Sequence, residues 1–215
     1  MVAVKNAGPD PETNLTLRYA IVDAKAVNMA KDTIENAIKK ASGKGDEGVR
    51  YEEVRYEGYG PSGVAVIIDV LTDNVKRTAP EMRKLFEKGS GNLAKPGSVA
   101  FGFASKGVIF IETGNTTEEQ LMDAALDAGA DDIEQTEGGW EVTCEPTQFL
   151  NLRQALETAA IEVMSAEITM LPSTLVDCDA VLGGKILRMI DSFEEHDDVQ
   201  NVYTNADIPD EAMEE

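Results

Sequence analysis

Lys106-Gly107-Val108-Ile109-Phe110-Ile111 opens the stretch that decides the fold. Its β-branched and aromatic residues predict a strand over 106–112. Thr116 with Glu119 three positions on is a capping box, and Gly129 closes a helix over 117–128. A strand over 132–136, a turn at Gly138-Gly139 and a strand over 140–144 follow. Phe149, Leu152 and Leu156 recur at helical spacing in a helix over 147–159, and Val163 to Leu171 supplies a last strand. The order β-α-β-β-α-β is the split arrangement of ferredoxin-like domains.

On its N-terminal side, Tyr51–Tyr59 and Val64–Thr72 predict two strands around Gly60-Pro61-Ser62-Gly63. A helix over 74–88 and a strand from Ser98 to Phe103 come next, but a second helix and closing strand are missing. Beyond Pro172 both turn up, as a helix over 180–195 carrying Leu182, Ile186, Met189, Ile190 and Phe193, and a strand over 199–205. Residues 49–104 plus 173–206 are therefore expected to form one discontinuous domain, with 105–172 inserted as a third domain. At the front, Asp10-Pro11-Glu12 predicts the start of a helix over 12–27, and Asp32 with Glu35 caps another over 33–42. The small, polar run Ser42 to Gly48 reads as a linker that ends a helical domain at 1–48, and 207–215 as a disordered acidic tail. The predicted fold class is α+β: a short helical domain, then two ferredoxin-like domains, the third inserted into the second.

Charge divides the 215-residue chain unevenly. Residues 1–48 hold seven basic and seven acidic side chains, 49–104 eight and seven, 105–172 two and fourteen, and 173–215 two and twelve, for a net charge of -21. An anionic body excludes a protein that coats nucleic acid or anionic lipid along its length, so any polyanion contact must be local and in the first half. No apolar run reaches the roughly 18 residues of a membrane span, and no signal peptide opens the chain. Cys144 and Cys178 lack metal-ligand spacing and fit a reducing compartment, so the expected location is the cytoplasm.

Six runs carry a resemblance: Gly8-Pro9-Asp10-Pro11-Glu12, Lys31-Asp32-Thr33-Ile34-Glu35, Tyr56-Glu57-Gly58-Tyr59-Gly60-Pro61, Leu71-Thr72-Asp73-Asn74, Gly97-Ser98-Val99-Ala100 and Asp198-Val199-Gln200-Asn201-Val202-Tyr203. Together they resemble the YebC/PmpR family, whose mitochondrial members are translational activators of cytochrome c oxidase subunit I. The resemblance implies the same three-domain layout and a probable transcriptional regulator that binds DNA. It also leaves open an RNA- or ribosome-associated translational activator. Three departures stand out. The chain begins where the family's second helix would lie, without the usual Lys-rich stretch; Ala30 replaces a proline; and Gly183-Gly184 falls within a helix, at a cost of roughly 1 kcal/mol per glycine.

Catalytic chemistry finds little support. Gly58, Gly60 and Gly63 spell G-x-G-x-x-G, but a strand follows where a dinucleotide site needs a helix N-terminus, so they read as a tight turn. His196, the single histidine, sits among carboxylates and reads as a solvated helix end. Asp131-Asp132 and Asp197-Asp198 lack calcium-loop spacing and read as solvated carboxylates; Cys144 reads as a core residue. No catalytic residue, cofactor or metal is expected.

The helix over 74–88 is the informative surface. With Lys76 set at zero and about 100° per residue, Arg83, Lys84, Arg77 and Lys88 fall within an arc of roughly 140°, opposite the stripe of Val75, Ala79, Met82 and Phe86. These five cations, with Lys39, Lys40 and Lys44, are the candidate nucleic-acid contacts. A protein-binding adaptor that uses the acidic half on a basic partner, such as a ribosomal protein, is the alternative.

Overall fold

The computed structural model describes residues 3–4, 8–26, 28–42, 51–136 and 138–212. They belong to two compact units, Met1–Arg50 and Tyr51–Glu215. In the first unit, helices α1 (Leu15–Ala26) and α2 (Lys31–Ala41) bury Leu17 and Ile34. The start of α1 differs from expectation. Residues 10–13 form a turn, and Asn14 caps the helix: its Oδ1 accepts from the Leu17 N–H at 3.0 Å while its Nδ2 donates to the carbonyls of Ala3 and Gly8. Buried, with both its oxygen and its NH₂ bonded, Asn14 outcompetes Asp10, whose carboxylate accepts from the Glu12 N–H in the preceding turn. α2 starts at Lys31 with no side-chain cap, so Asp32 lies inside its first turn. Of the expected linker at 42–48, Ser42 is the C-cap of α2 and residues 43–48 lie outside the described residues.

The second unit is built on two four-stranded antiparallel sheets. The first has the order β3-β1-β2-β9, from β1 (Glu52–Tyr59), β2 (Ala65–Thr72), β3 (Asn92–Leu93) and β9 (Val199–Thr204). One of its faces carries Val66, Ile68 and Val70, packed under α3 (Val75–Lys88) and α6 (Ala180–Glu194) through Met82, Phe86, Ile186 and Phe193. The second sheet has the order β5-β6-β4-β7, from β4 (Phe103–Glu112), β5 (Ala130–Gln135), β6 (Gly139–Cys144) and β7 (Ser165–Pro172). Helices α4 (Glu118–Leu126) and α5 (Phe149–Thr158) cover it over Ile109, Ile111, Val142 and Cys144. That strand order is the ferredoxin-like one, and the protein has the expected α+β class. The first and last strands of the second sheet, β4 and β7, are paired where the chain enters and leaves it: Phe103 pairs with Pro172.

Several elements differ from the reading of the sequence. There is no separate strand over 98–103; Ala100–Gly102 is a 3-10 turn and β4 runs unbroken from Phe103. The reason is a long-range bond, because the Val99 and Ala100 N–H groups donate to the Glu57 carboxylate and so cannot enter a ladder. In α4 the capping box is Thr117 with Gln120, one residue later than expected. A two-residue parallel ladder joins β8 (Val176–Asp177) to β10 (Ala206–Asp207).

Residues 207–212 of the expected disordered tail are ordered. Asp207 lies in β10, Asp210–Ala212 forms a 3-10 turn, and Ala212 is buried. This also accounts for the glycine pair: α6 is continuous, and Gly183 is buried where Ile208 and Ala212 lie against the helix. A Cβ at Gly183 would stand 2.9 Å from the Ala212 Cβ, closer than carbon atoms pack. Gly183→Ala should therefore gain helix propensity of about 1 kcal/mol but dislodge the tail. Hydrogen exchange at the Ala212 amide, bonded to the Pro209 carbonyl, is the measurement; the amide is expected to lose protection while global stability changes little.

Candidate nucleic-acid interface

α3 is set by its cap and by one buried stripe. Asn74 Oδ1 accepts from the Arg77 N–H at 3.2 Å, and Met82 and Phe86 are fully buried beneath the helix. Thr78 is buried too, which the apolar stripe did not indicate: its hydroxyl lies 2.8 Å from the Thr72 hydroxyl and 2.7 Å from Asp198 Oδ2. The candidate cations point the other way, as the wheel predicts. Lys76, Arg83, Lys84 and Lys88 are exposed, and none has a carboxylate within 4.0 Å among the described residues.

Arg77 is different. Its guanidinium reaches Asp198 at 2.7 Å, Asp73 at 3.2 Å and Glu81 at 3.9 Å, so three carboxylates offset its charge. The bond to Asp198 raises the Arg77 pKa further, against the opposing effect of burial. For Asp198, burial would raise the pKa, but Arg77, Thr78 and Thr72 outweigh it and hold the carboxyl below its ordinary value. Asp198 is thus a partly buried hub between β9, β2 and α3, not the solvated carboxylate the sequence reading assigned. His196 is likewise half-buried, with Nε2 3.1 Å from Glu81 and Nδ1 accepting from the Asp198 N–H.

Lys39 and Lys40 are exposed in the last turn of α2, where a helix dipole favours cations; Lys44 lies outside the described residues. Beyond Lys88 the structure adds two cations that the linear charge count hid in an acidic segment, Lys185 and Arg188 of α6, which line a common cleft with it. In the second sheet Lys106 is held between Asp131 (2.8 Å) and Glu145, which raise its pKa and leave the surrounding surface acidic.

The remaining motifs resolve into structure. Gly63 adopts φ +80° in the turn between β1 and β2, and β2 follows where a dinucleotide site would need a helix. Cys144 is fully buried in the core of the second sheet. Among the described residues, no three His, Cys, Asp or Glu side chains converge to hold a metal ion, and no helix is long and apolar enough to cross a membrane.

Known proteins share this arrangement. Residues 51–206 match the family model described as the TACO1/YebC second and third domain, and residues 1–44 match the TACO1/YebC protein N-terminal domain. A probable transcriptional regulatory protein of Rubrobacter xylanophilus is 47% identical over 214 residues, covering 100% of this chain and 86% of the relative. One of Treponema denticola with the same description is 50% identical over 208 residues, covering 97% and 84%. Among solved structures, the conserved hypothetical protein Aq1575 from Aquifex aeolicus superposes with a TM-score of 0.83 at 39% identity, covering 96% of this chain and 85% of that one. Matched along both units in sequence and across 96% of its length in structure, the chain belongs to the TACO1/YebC family.

Proposed function

We propose that this protein is a non-enzymatic, cytoplasmic regulator of gene expression that grips nucleic acid by phosphate contacts from the exposed cations of α3, with Lys39, Lys40 and Lys44 as further contacts. The observation that carries the reading is the contrast within one helix: among the described residues, Lys76, Arg83, Lys84 and Lys88 have no carboxylate within 4.0 Å, whereas Arg77 has three. Unpartnered cations on one face of a protein with a net charge of -21 form a local footprint for a polyanion. The names of the relatives point to transcription and hence to DNA. RNA or the ribosome is the alternative target for the same surface, since phosphate contacts do not read sequence. Residues 105–172 act in this reading as an inserted acidic domain held apart from the polyanion.

Filter binding of duplex DNA and structured RNA between about 50 and 200 mM salt tests it. The four α3 contacts alone predict a slope of log affinity on log salt of about -3 to -4 for the polymer that is the target, and the further lysines steepen it. A flat response for both overturns the assignment. A second reading, an adaptor that docks on a basic protein, draws on the capture of Lys106 by Asp131 and Glu145, which leaves the inserted segment strongly anionic. It predicts partner capture by the full chain that survives charge reversal on α3 and is lost in high salt.

A further inference from the structure

α6 gives the cationic face of α3 a second wall. The two helices are packed side by side: the rings of Phe86 and Phe193 are 4.8 Å apart, and the backbone at Gly89 lies so close to Met189 that a Cβ would stand 2.7 Å from its Cγ. Where α3 ends, they leave an open cleft of about 520 Å³. Lys88 stands on one side, Lys185 and Arg188 on the other, with Asp191 and Glu195 farther along α6. Residues 173–215 contain two cations against twelve carboxylates, and both cations line this cleft. Their i, i+3 spacing places them on one helix face, where like charges repel unless an anion lies between them. Neither they nor Lys88 has a carboxylate within 4.0 Å among the described residues, although Asp191 and Glu195 line the same cleft.

We propose that Lys185 and Arg188 form, with Lys88, a phosphodiester-binding cleft that continues the α3 face, so that a nucleic-acid backbone passes from α3 into the groove against α6. The inference rests on the reading of α3 above and extends it to a second helix. Two features select a backbone diester over a free phosphate or a nucleotide. The cleft meets α3 at its C-terminal end, where the last helix carbonyls, capped by the N–H groups of Gly89, Ser90 and Gly91, present the negative end of the dipole, which disfavours a dianion. Among the described residues, the cleft's lining also includes no aromatic side chain on which a base would stack. Asp191 and Glu195 set the far limit of the track by repelling the next phosphate.

The full chain is titrated by filter binding with an RNA single strand and a DNA duplex, each of about 20 nucleotides per strand, between about 50 and 200 mM salt. Lys185→Gln/Arg188→Gln is expected to weaken binding roughly tenfold to a hundredfold and to flatten the salt slope by about 1.4 to 1.8, and the polymer that shows the loss is the source of the diester. Asp191→Asn/Glu195→Gln, which removes charge without removing a contact, is expected to tighten binding; affinity that does not rise overturns the cleft. Affinity and slope unchanged in Lys185→Gln/Arg188→Gln also overturn it, while leaving the α3 reading intact if Lys76→Glu/Arg83→Glu/Lys84→Glu loses binding. The reverse pattern, loss in the α6 variant with the α3 variant unaffected, upholds the cleft and overturns the α3 reading. If the unaltered protein binds neither polymer, both fall.

Discussion

Reversing Lys76, Arg83, Lys84 and Lys88 together to glutamate is expected to weaken nucleic-acid binding by about a thousandfold near 0.1 M salt and to flatten the slope of log affinity on log salt by about 3 to 4. Each exposed cation that neutralises a phosphate releases a condensed counterion, and the entropy of that release carries the affinity. All four sit on the solvent side of α3, away from Met82 and Phe86, so the unfolding transition should barely move. Circular dichroism melts alongside filter binding separate loss of contact from loss of fold.

Arg77 is the control on the same helix. Its charge is already met by Asp198, Asp73 and Glu81, so Arg77→Ala should change binding far less than any one of the four reversals. Stability should fall instead, because the partly buried Asp198 carboxylate loses its cation. The converse variant, Asp198→Asn, weakens that hold and should raise affinity while lowering stability. If Arg77→Ala costs as much binding as Lys84→Glu, the distinction between partnered and unpartnered cations on α3 is void.

What the sequence disclosed followed from periodicity, and what it concealed followed from distance along the chain. The stripe of Met82 and Phe86 and the opposite cationic arc are properties of one helix, so helical geometry alone placed them. Two partners of Arg77, Asp73 and Glu81, lie four positions away along the chain, but its shortest contact is to Asp198, 121 positions away, which no local pattern reports. Likewise, Ser98 to Phe103 has strand-like composition, yet its amides are claimed by Glu57 from another element. Lys185 and Arg188 were hidden by the opposite effect, since a count averaged over an acidic segment erases two cations that α6 turns toward Lys88. Errors at caps, Thr117 for Thr116 by one residue and Asn14 for Asp10 by four, arise because nearby residues offer equivalent oxygen acceptors and only packing chooses between them.

The four runs of the second unit that carry the family resemblance meet in pairs, and they meet at structural joints. Tyr56 to Pro61 touches Gly97 to Ala100 through the Glu57 carboxylate and through the Tyr59 hydroxyl, which donates to the Ser98 carbonyl at 2.9 Å. Leu71 to Asn74 touches the start of the 198–203 run, with the Leu71 N–H donating to the Asp198 carbonyl at 2.8 Å. These residues identify the fold because they lock it, whereas the cations proposed to act on nucleic acid lie outside those runs. Recognising the family and finding its working surface are therefore separate problems in this chain.

Glu57 is the joint whose loss should cost most. It is 4% exposed, and its carboxylate accepts three backbone N–H bonds, from Gly97 at 2.7 Å, Val99 at 2.8 Å and Ala100 at 2.9 Å. Burial would raise its pKa, but the three donors, with help from nearby Arg55, hold it below the ordinary value. Glu57→Ala leaves those amides without an acceptor and is expected to destabilise the second unit by about 3 kcal/mol, measured by urea unfolding near neutral pH. Glu57→Gln should fall between, since its single carbonyl oxygen can serve Val99 and Ala100 while its NH₂ opposes the Gly97 donor. A folded pKa below the unfolded one means that the native state releases the proton more readily. The stabilisation is therefore present above the unfolded carboxyl pKa of about 4.3 and disappears as pH falls through the lower folded value. The stability gap between the unaltered protein and Glu57→Gln should accordingly be constant from about pH 7 to 5 and close below about pH 4, and a gap that persists into acid would mean that the Glu57 charge does not lock this loop.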